Sequence, residues 1–266
     1  AIGGIPLASD VSAEEAFRLA RAMTLKNAAA GLPHGGGKSV IMADPKMPRA
    51  EKETLIRAFA GAIRGITDYI PGPDMGTDER CMAWIKDEID RAVGLPPEIG
   101  GIPLDEIGAT GFGLSICTEV ATTFLDLPLR GARVVVQGFG SVGQHAARFL
   151  STKGAVLVGA ADSQGTLFKA TGIDIARLIE LKHAGKSVVD YTPGEKLDRD
   201  AAIDIECDVW IPAARPDVLR ADNVSRLKTK LIVSGANIPA TAEAERLLHE
   251  RKVLMVPDFI ANAGGV

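Results

Sequence analysis

A glycine-rich segment near the middle of the chain has the spacing of a phosphate-binding turn. Residues 134–137, three valines and a glutamine, predict a strand, and the pattern GxGxxG follows it directly, ahead of a predicted helix. In this pattern the three glycines allow a tight turn, a close approach of the backbone to a pyrophosphate, and close helix–strand contact. The N-terminus of the helix adds free N–H groups and a partial positive charge. The segment therefore predicts a dinucleotide site whose contacts are Gly138, Gly140, Ser141, Val142 and Gly143.

An acidic residue at the end of the next predicted strand fits the same site. Asp162 follows Gly143 by 19 residues. A carboxylate at this place can accept hydrogen bonds from the adenosine ribose hydroxyls, whereas the 2′-phosphate of NADP would meet like charge. NAD is therefore the predicted cofactor, with NADP possible. A glycine turn that binds no ligand would explain the glycines but not the acid.

Two lysines and an aspartate in the first part of the chain could also do chemistry. Lys26 lies in a predicted helix segment that is otherwise small and apolar, so its ammonium either reaches solvent or points into a cleft. Lys38 follows three glycines, but the spacing GxxxxGK[ST] of a nucleotide-binding loop is not met. Asp74 lies in a loop rich in proline and glycine, where an aspartate commonly caps a turn. The residues alone leave these alternatives open.

The predicted helices and strands that must position these residues follow two different patterns along the chain. Up to about residue 107 the pattern predicts helices separated by glycine-rich loops, with a capping box at Ser12 and Glu15, a helix end near Gly31 and a strand over residues 39–42. Beyond that point strands alternate with helices, which indicates an α/β fold with a doubly wound parallel sheet. The predicted strands are residues 133–137, 155–160, 208–211, 230–234 and 253–256, and residues 185–199 are the most loop-like segment.

Composition and charge exclude several classes of protein. Hydrophobic residues make up 46% and charged residues 24% of the 266 residues, an ordinary globular balance. The net charge of −4 argues against a partner such as nucleic acid or an anionic membrane. Three cysteines without CxxC spacing, and histidines without partners at ligand spacing, predict no metal site and a cytoplasmic chain with reduced thiols.

Ordered motifs along the whole chain resemble the glutamate/leucine/phenylalanine/valine dehydrogenase family. The resemblance implies a homo-oligomeric enzyme that reversibly deaminates an L-amino acid to a 2-oxo acid and ammonia, using a nicotinamide cofactor. The segments that carry it are GGIPLASDVSAEEAFRLARAMTLKNAAAGLPHGGGKSVIMADP, DYIPGPDMGTDERCMAWIKDE, IGATGFGL, VVVQGFGSVGQ, ADSQG, CDVWIPAA, VSGAN and VPDFIANAGGV.

The resemblance also implies roles for individual residues. Lys26 would bind the substrate α-carboxylate, Lys38 would be the catalytic lysine, and Asp74 would exchange a proton with the amine nitrogen. The further substrate contacts would be Ile2, Gly3, Gly4, Gly72 and Val266. The further cofactor contacts would be Thr110, Asn237 and Asn262.

The resemblance divides the chain into two domains. Residues 1–108 would be a substrate-binding and oligomerisation domain, shortened at its N-terminus. Residues 109–266 would be a Rossmann-type dinucleotide-binding domain without the family's C-terminal helices. The active site is expected in the cleft between the domains.

Two departures from the family pattern bear on the substrate. Glutamate-specific relatives carry a lysine before the first Gly-Gly pair, where this chain has Ile2. A buried carboxylate without a cationic partner is costly, so Ile2 predicts an apolar substrate such as leucine, valine or phenylalanine. The segments around Asp74 and Thr110 are more similar to glutamate-type relatives and keep glutamate as the alternative. Pro6, where relatives usually carry arginine, leaves open a non-catalytic, dinucleotide-binding regulatory relative.

Overall fold

Two units of the chain fold around separate cores. The structure is a computed structural model that describes all residues from 1 to 266. One unit comprises Ala1–Ile107 together with Val266, and the other comprises Gly108–Gly265.

The first unit contains four short strands and four helices. The strands are β1 (Ile2–Gly4), β2 (Leu7–Ala8), β3 (Ile41–Met42) and β4 (Ile70–Gly72). The helices are α1 (Ala13–Ala29), α2 (Arg49–Ala62), α3 (Glu79–Ile89) and α4 (Leu104–Ile107). β1 pairs in parallel with β4, and β2 pairs in parallel with β3. The core includes the fully buried residues Ile5, Leu7, Ile56, Met82 and Ile85.

Side-chain caps fix where the helices of this core begin. Ser12 accepts a hydrogen bond from the Glu15 N–H at 3.1 Å, so α1 starts where the capping box predicts. Asp78 caps α3 in the same way at 2.9 Å. Gly31, with φ of 70°, lies just beyond α1 in the left-handed region that suits a helix end. The strand predicted over residues 39–42 is shorter in the structure and comprises only β3.

The second unit is a seven-stranded sheet with helices packed on it. The strands are β5 (Arg133–Gln137), β6 (Val156–Asp162), β7 (Gly165–Phe168), β8 (Glu195–Leu197), β9 (Val209–Pro212), β10 (Leu231–Val233) and β11 (Leu254–Val256). The helices are α5 (Ala109–Thr123), α6 (Ser141–Thr152), α7 (Ile175–His183), α8 (Ala242–Glu250) and α9 (Asp258–Ala261). The strand order is β11-β10-β9-β5-β6-β7-β8. This arrangement confirms the predicted α/β fold.

The sheet is not wholly parallel, which corrects the sequence-based expectation at one edge. β5, β6, β9, β10 and β11 run parallel, whereas β7 is antiparallel to both β6 and β8. β8 lies inside residues 185–199, which were predicted as loop. Both antiparallel strands, β7 and β8, are too short, at four and three residues, to show a clear alternation of apolar side chains.

Alternate side chains of the central strand enter different cores. Val134 and Val136 of β5 share a cluster with Leu114 of α5. Val135 points to the opposite face and shares a cluster with Leu248 of α8. A strand buried on both faces reads as a continuous apolar run, which is the pattern that predicted β5.

Thiols and acidic side chains do not gather into a metal site. The three cysteines are free thiols, and burial raises the pKa of the Cys81 thiol to about 11. No group of three histidine, cysteine, aspartate or glutamate side chains could hold a metal ion. Every helix is too short or too polar to cross a membrane.

Candidate active site

A partly buried lysine–aspartate pair lies beside the glycine loop of the first unit, residues 35–37. Nζ of Lys38 donates a hydrogen bond to Oδ2 of Asp74, and the two side chains are 2% and 19% exposed. Removing one member of such a pair leaves an uncompensated charge in the protein interior. The structure therefore brings together two residues that the sequence places 36 positions apart.

The Asp74 loop is held so that one carboxylate oxygen faces the lysine. The N–H of Asp74 donates to Oγ1 of Thr77 at 2.9 Å, and Thr77 Oγ1 donates to the carbonyl of Ile5 at 2.9 Å. Oδ1 of Asp74 accepts the N–H of Met75 at 2.8 Å. Oδ2 is thus left for Lys38, and a carboxylate fixed against an ammonium in this way is suited to proton exchange.

The glycines around this pair are in close contact with other parts of the first unit. A Cβ at Gly3 would lie 1.7 Å from the carbonyl oxygen of Gly37, and one at Gly36 would lie 2.1 Å from that of Ala20. A Cβ at Gly4 would lie 2.3 Å from Asp74 Oδ2. Contacts within the protein are therefore enough to explain why these positions are glycine, and no bound ligand is needed for the explanation.

Helix α1 fixes the loop from one side. Oγ1 of Thr24 accepts the N–H of Gly36 at 2.9 Å, and Nδ2 of the fully buried Asn27 donates to the carbonyl of Gly35 at 3.2 Å. Lys26, on the same helix, is only 5% exposed. Of the two alternatives that the sequence left open, a solvated Lys26 is therefore excluded.

The strands β1 and β4 fix the loop from the other side. The N–H of Ile2 donates to the carbonyl of Gly35 at 2.9 Å, and the carbonyl of Ile2 accepts the N–H of Gly37 at 2.9 Å. Gly72 pairs with Gly4 in the parallel ladder. Ile2 is half-buried, so its side chain can contribute to a site but is not part of the core.

Tyr69 packs against the glycine loop and strand β1, which contains Gly3 and Gly4, although nothing in the sequence singles it out. Its hydroxyl donates to the carbonyl of Gly3 at 3.0 Å, and a Cβ at Gly37 would lie 2.7 Å from its ring. Burial raises the pKa of Tyr69 to about 12; the charge of Asp74 adds to this rise and a hydrogen bond with Ser39 opposes it. Tyr69 is therefore a neutral donor near neutral pH.

The second unit has a cavity of about 880 Å³ at the carboxyl ends of β5, β6 and β9. The glycine motif lines it, and each glycine has a different environment. Gly138 has φ of 100° and leaves no room for a Cβ, which would lie 2.6 Å from the Ala214 nitrogen. A Cβ at Gly143 would lie 2.1 Å from the Gly138 carbonyl oxygen. At Gly140, where α6 begins, a Cβ would meet nothing within 4 Å.

These observations fit a dinucleotide. Gly140 leaves open space in front of the N–H groups at the start of α6, which is where a pyrophosphate would approach. Oε1 of Gln137, which also lines the cavity, is buried and has no hydrogen-bond partner, so it can accept from a ligand. Ser141 and Val142, both predicted cofactor contacts, form the first turn of α6.

Asp162 lies at the end of β6 and lines the cavity, but its carboxylate is already engaged. It accepts from Lys182 at 2.7 Å, Ser187 at 2.8 Å, Gln164 at 2.9 Å and Val188 at 2.9 Å. Burial raises its pKa, but these hydrogen bonds outweigh burial and hold the pKa below its ordinary value. A carboxylate has about four acceptor positions. A ribose hydroxyl would therefore share an oxygen with one of these donors.

The charge on which the preference for NAD was based is compensated in the structure. Lys182 forms an ion pair with Asp162, and the two side chains are 20% and 10% exposed. A 2′-phosphate at this edge would meet an ammonium as well as a carboxylate. Neither nicotinamide dinucleotide is excluded by this contact.

Asn237 and Asn262, both predicted near the cofactor, contact each other. Nδ2 of the buried Asn262 donates to Oδ1 of Asn237 at 3.0 Å and to the carbonyl of Gly235 at 3.3 Å. Thr110 lies in the first turn of α5, and its Oγ1 would be 3.1 Å from a Cβ at Gly265. Val266 is 45% exposed.

Several residues around these sites carry no clear sequence signal. Tyr69, Lys182 and Ser187 reach their partners only through the tertiary fold. Asp258 is different, because it follows β11 at the carboxyl edge of the sheet, where ligands of such sheets bind. An acid at that place was therefore detectable.

The chain belongs to the Glu/Leu/Phe/Val dehydrogenase family. The family model described as Glutamate/Leucine/Phenylalanine/Valine dehydrogenase matches residues 100–266. A second model, described as the dimerisation domain of Glu/Leu/Phe/Val dehydrogenases, matches residues 1–91. The resemblance drawn from the motifs is thereby confirmed.

Known proteins similar to this chain are glutamate dehydrogenases by name. The NADP-specific glutamate dehydrogenase of Saccharolobus shibatae is 38% identical, over 99% of this chain and 65% of the relative. The glutamate dehydrogenase of Thermotoga maritima is 39% identical, over 99% of this chain and 67% of the relative. A solved structure of the hetero-hexameric glutamate dehydrogenase of Thermus thermophilus, in a leucine-bound form, matches with a TM-score of 0.89 and 32% identity, over 99% of this chain and 65% of that one. The chain thus spans about two thirds of the length of these relatives.

Proposed function

We propose that this chain carries the substrate and dinucleotide sites of an amino acid dehydrogenase that interconverts L-glutamate and 2-oxoglutarate, with release or uptake of ammonia. The observation that carries the proposal is the partly buried contact between Lys38 and Asp74, beside the strand β1 with its two glycines, in a chain of this family. Deamination of an amine requires groups that can donate and accept protons at the reacting atoms, and a lysine and an aspartate held side by side can supply both.

The first unit would bind the substrate and move its protons. Lys26 would neutralise the α-carboxylate as a point charge, which a compact ammonium does well. Lys38 would polarise the carbonyl or water at the reacting carbon, and Asp74 would exchange a proton with the amine nitrogen. Ile2, Gly3, Gly4, Gly72 and Val266 would shape the space around the substrate.

The second unit would bind the cofactor. The glycine motif and the start of α6 would bind the pyrophosphate, and Thr110, Asn237 and Asn262 would bind near the nicotinamide. The bound nicotinamide supplies the hydride acceptor or donor. Asp162 would lie at the ribose, sharing its oxygens with Lys182 and Ser187. NAD is the proposed cofactor, with NADP also accepted, because one similar protein is NADP-specific by name.

The names of the similar proteins support glutamate as the substrate rather than an apolar amino acid. The preference for leucine, valine or phenylalanine rests on Ile2 alone. A half-buried Ile2 still supplies no cation for the side-chain carboxylate of glutamate, so that carboxylate would need a donor elsewhere.

The domain functions and the assembly are part of the same proposal. Residues 1–108 would bind substrate and form the subunit contacts, since residues 1–91 match a dimerisation domain. Residues 109–266 would bind the dinucleotide. We propose a homo-oligomer located in the cytoplasm, in keeping with three free thiols.

An assay of dinucleotide oxidation tests the proposal. The full-length protein is mixed with ammonia, NADH or NADPH, and a panel of 2-oxo acids, and absorbance at the nicotinamide band is followed. The proposal expects 2-oxoglutarate to be turned over faster than 4-methyl-2-oxopentanoate. The reverse order would contradict glutamate as the substrate.

Two further results of this assay are informative. Absence of turnover with every oxo acid, in a protein that binds NADH, would contradict the enzyme proposal and favour the non-catalytic, dinucleotide-binding relative. An Ile2→Lys variant adds a cation where glutamate-specific relatives carry one. It should lower the KM for 2-oxoglutarate and raise that for 4-methyl-2-oxopentanoate.

A further inference from the structure

A buried carboxylate that has no assigned role lies near the two asparagines of the second unit. Asp258 is the first residue of α9 and is 8% exposed. Its Oδ2 accepts the N–H of Ile238 at 2.6 Å, and its Oδ1 accepts the N–H of Phe259 at 2.9 Å. Burying a carboxylate is costly unless hydrogen bonds compensate it. Here the shorter of the two bonds goes to a residue 20 positions away.

The partner of Asp258 has a strained backbone. Ile238 has φ of 42°, in the left-handed region that β-branched residues rarely adopt. It also precedes Pro239, and a following proline favours extended backbone instead. Such a conformation persists only where the surroundings enforce it, and it is found most often at functional sites.

Both backbone groups of Ile238 are held, one on each side. Its N–H is bound by Asp258, and its carbonyl accepts the N–H of Asp217 at 3.0 Å. Asp217 lines the dinucleotide cavity. Ile238 therefore connects the buried carboxylate to the wall of the cavity.

The same turn places Asn237, the residue before Ile238. Rotation of Ile238 to an extended conformation would move Asn237 relative to Asn262, whose Nδ2 now lies 3.0 Å from Asn237 Oδ1. The geometry around Asn237 and along the cavity wall thus depends on the conformation of one strained residue.

We propose that Asp258 is a positioning residue, which holds Ile238 in the left-handed conformation and thereby sets Asn237 and the Asp217 side of the cavity for the nicotinamide dinucleotide. The inference rests on the proposed dinucleotide-binding function. In this role Asp258 acts through the backbone of Ile238 rather than by touching substrate or cofactor, and each of its oxygens accepts a backbone N–H group.

The test compares four proteins: the unmodified protein, Asp258→Ala, Ile238→Gly, and the double variant. The Kd for NADH is measured by fluorescence titration, and the KM values for dinucleotide and oxo acid are measured separately. Asp258→Ala removes the hydrogen bond that holds Ile238 in its strained conformation. Its Kd for NADH should therefore be about tenfold higher than that of the unmodified protein. The KM for dinucleotide should rise more than the KM for the oxo acid.

Rescue is the result that separates positioning from a general structural role. Glycine adopts positive φ without a side-chain clash, so it needs no carboxylate to hold it there. The double variant should therefore bind NADH nearly as well as Ile238→Gly alone. If the double variant binds as weakly as Asp258→Ala, or if Asp258→Ala binds as well as the unmodified protein, the inference is wrong.

The design also separates this inference from the proposed function. An unmodified protein that binds neither NADH nor NADPH would overturn both, whereas unchanged binding in Asp258→Ala would overturn the positioning role alone. If Asp258→Ala does not fold, the comparison is made in the Ile238→Gly background. There the inference expects a folded double variant with an NADH affinity equal to that of Ile238→Gly, and a loss of affinity would contradict it.

Discussion

The two glycine-rich loops of this chain are similar in composition but differ in what surrounds them. In the first unit a Cβ at Gly36 would lie 2.1 Å from a carbonyl oxygen of α1. In the second unit a Cβ at Gly140 would meet nothing within 4 Å. Glycine at the first loop lets protein pack against protein, whereas glycine at Gly140 leaves room for something that is not protein. The environment, rather than the glycine count, distinguishes a packing loop from a phosphate-binding loop.

The charges beside the loops differ in the same way. Lys38 ends the first loop, and its ammonium is bound by Asp74. The second loop has no cationic side chain in its motif and would rely on the N-terminus of α6 to bind phosphate. A lysine already paired with a carboxylate is poorly suited to bind phosphate, which agrees with the failed GxxxxGK[ST] spacing.

The largest expected effect is on turnover, through the first loop. Lys38→Ala should lower kcat by about three orders of magnitude, in the range that a positioned acid or base contributes. The Kd for NADH should stay unchanged, because the proposed cofactor site lies in the second unit. Steady-state kinetics and an NADH titration check both statements.

The exposed Lys46 gives a matched control for this variant. Lys46→Ala should keep normal turnover. Loss of NADH affinity in Lys38→Ala would mean that the first loop also contributes to cofactor binding, which would contradict the assignment of separate roles to the two loops.

The next largest effect is on stability, again in the first loop. Gly36→Ala should destabilise the first unit by about 3 kcal/mol, because the added methyl overlaps backbone that cannot move aside. Gly35→Ala is the matched control, since a Cβ there would meet nothing within 4 Å. Urea unfolding is followed by the fluorescence of Trp84, in a Trp210→Phe background so that only the first unit contributes to the signal. The transition gives the free energy of unfolding of this unit. Equal losses in the two variants would refute the packing explanation.

A smaller effect is expected at the second lysine–aspartate pair. The folded-state pKa of Asp162 is lowered from its ordinary 3.8, so its stabilisation is present above that pH and is lost as pH falls through the folded pKa. Lys182→Met removes the cation, raises the folded pKa and should move the onset of acid unfolding to higher pH. Near neutral pH, the free energy of unfolding of Lys182→Met should be lower by about 1–3 kcal/mol.

Acid titrations followed by the fluorescence of Trp210, in a Trp84→Phe background, check this expectation. Lys186→Met is the control, since no contact of Lys186 with Asp162 is seen. An unchanged acid transition in Lys182→Met would show that the backbone N–H groups alone set the pKa of Asp162.

The smallest effect concerns a glycine that belongs to neither loop. Gly61 lies inside α2, and a Cβ there would meet nothing within 4 Å. Gly61→Ala should stabilise the first unit by about 0.5–1 kcal/mol, because alanine loses less conformational entropy in a helix. Thermal unfolding monitored by circular dichroism measures the gain. A decrease in Tm would show that open space around a glycine is not enough to predict that alanine is tolerated there.

The sequence predicted the central features of the second unit because they are local. The apolar run of β5, the GxGxxG turn and the start of α6 lie within twenty residues of each other, and each has its own pattern. The antiparallel strands β7 and β8 were missed because they are only four and three residues long. The engagement of Asp162 was missed because Lys182 and Ser187 come from 20 and 25 residues further along.

The first unit was harder to predict because its site is assembled from distant segments. Lys38 and Asp74 were singled out, but only the fold shows that they touch and that Tyr69 lies beneath the glycine strand. The burial of Lys26 depends on how α1 packs, which its own apolar neighbours did not determine. The strained Ile238 is held by a residue 20 positions away, and backbone strain of this kind has no sequence pattern.

The most direct test of the difference between the loops is an NADH titration of Gly140→Ala, with its Tm measured beside it. Gly140 has φ of −87° and ψ of −160°, an extended conformation that alanine adopts freely, so the variant should fold with an unchanged Tm. A methyl group in the open space would keep the pyrophosphate from the backbone. We expect the Kd to rise by about tenfold or more. An unchanged Kd, or a Kd that rises only together with a clear fall in Tm, would contradict the assignment of this loop to the cofactor.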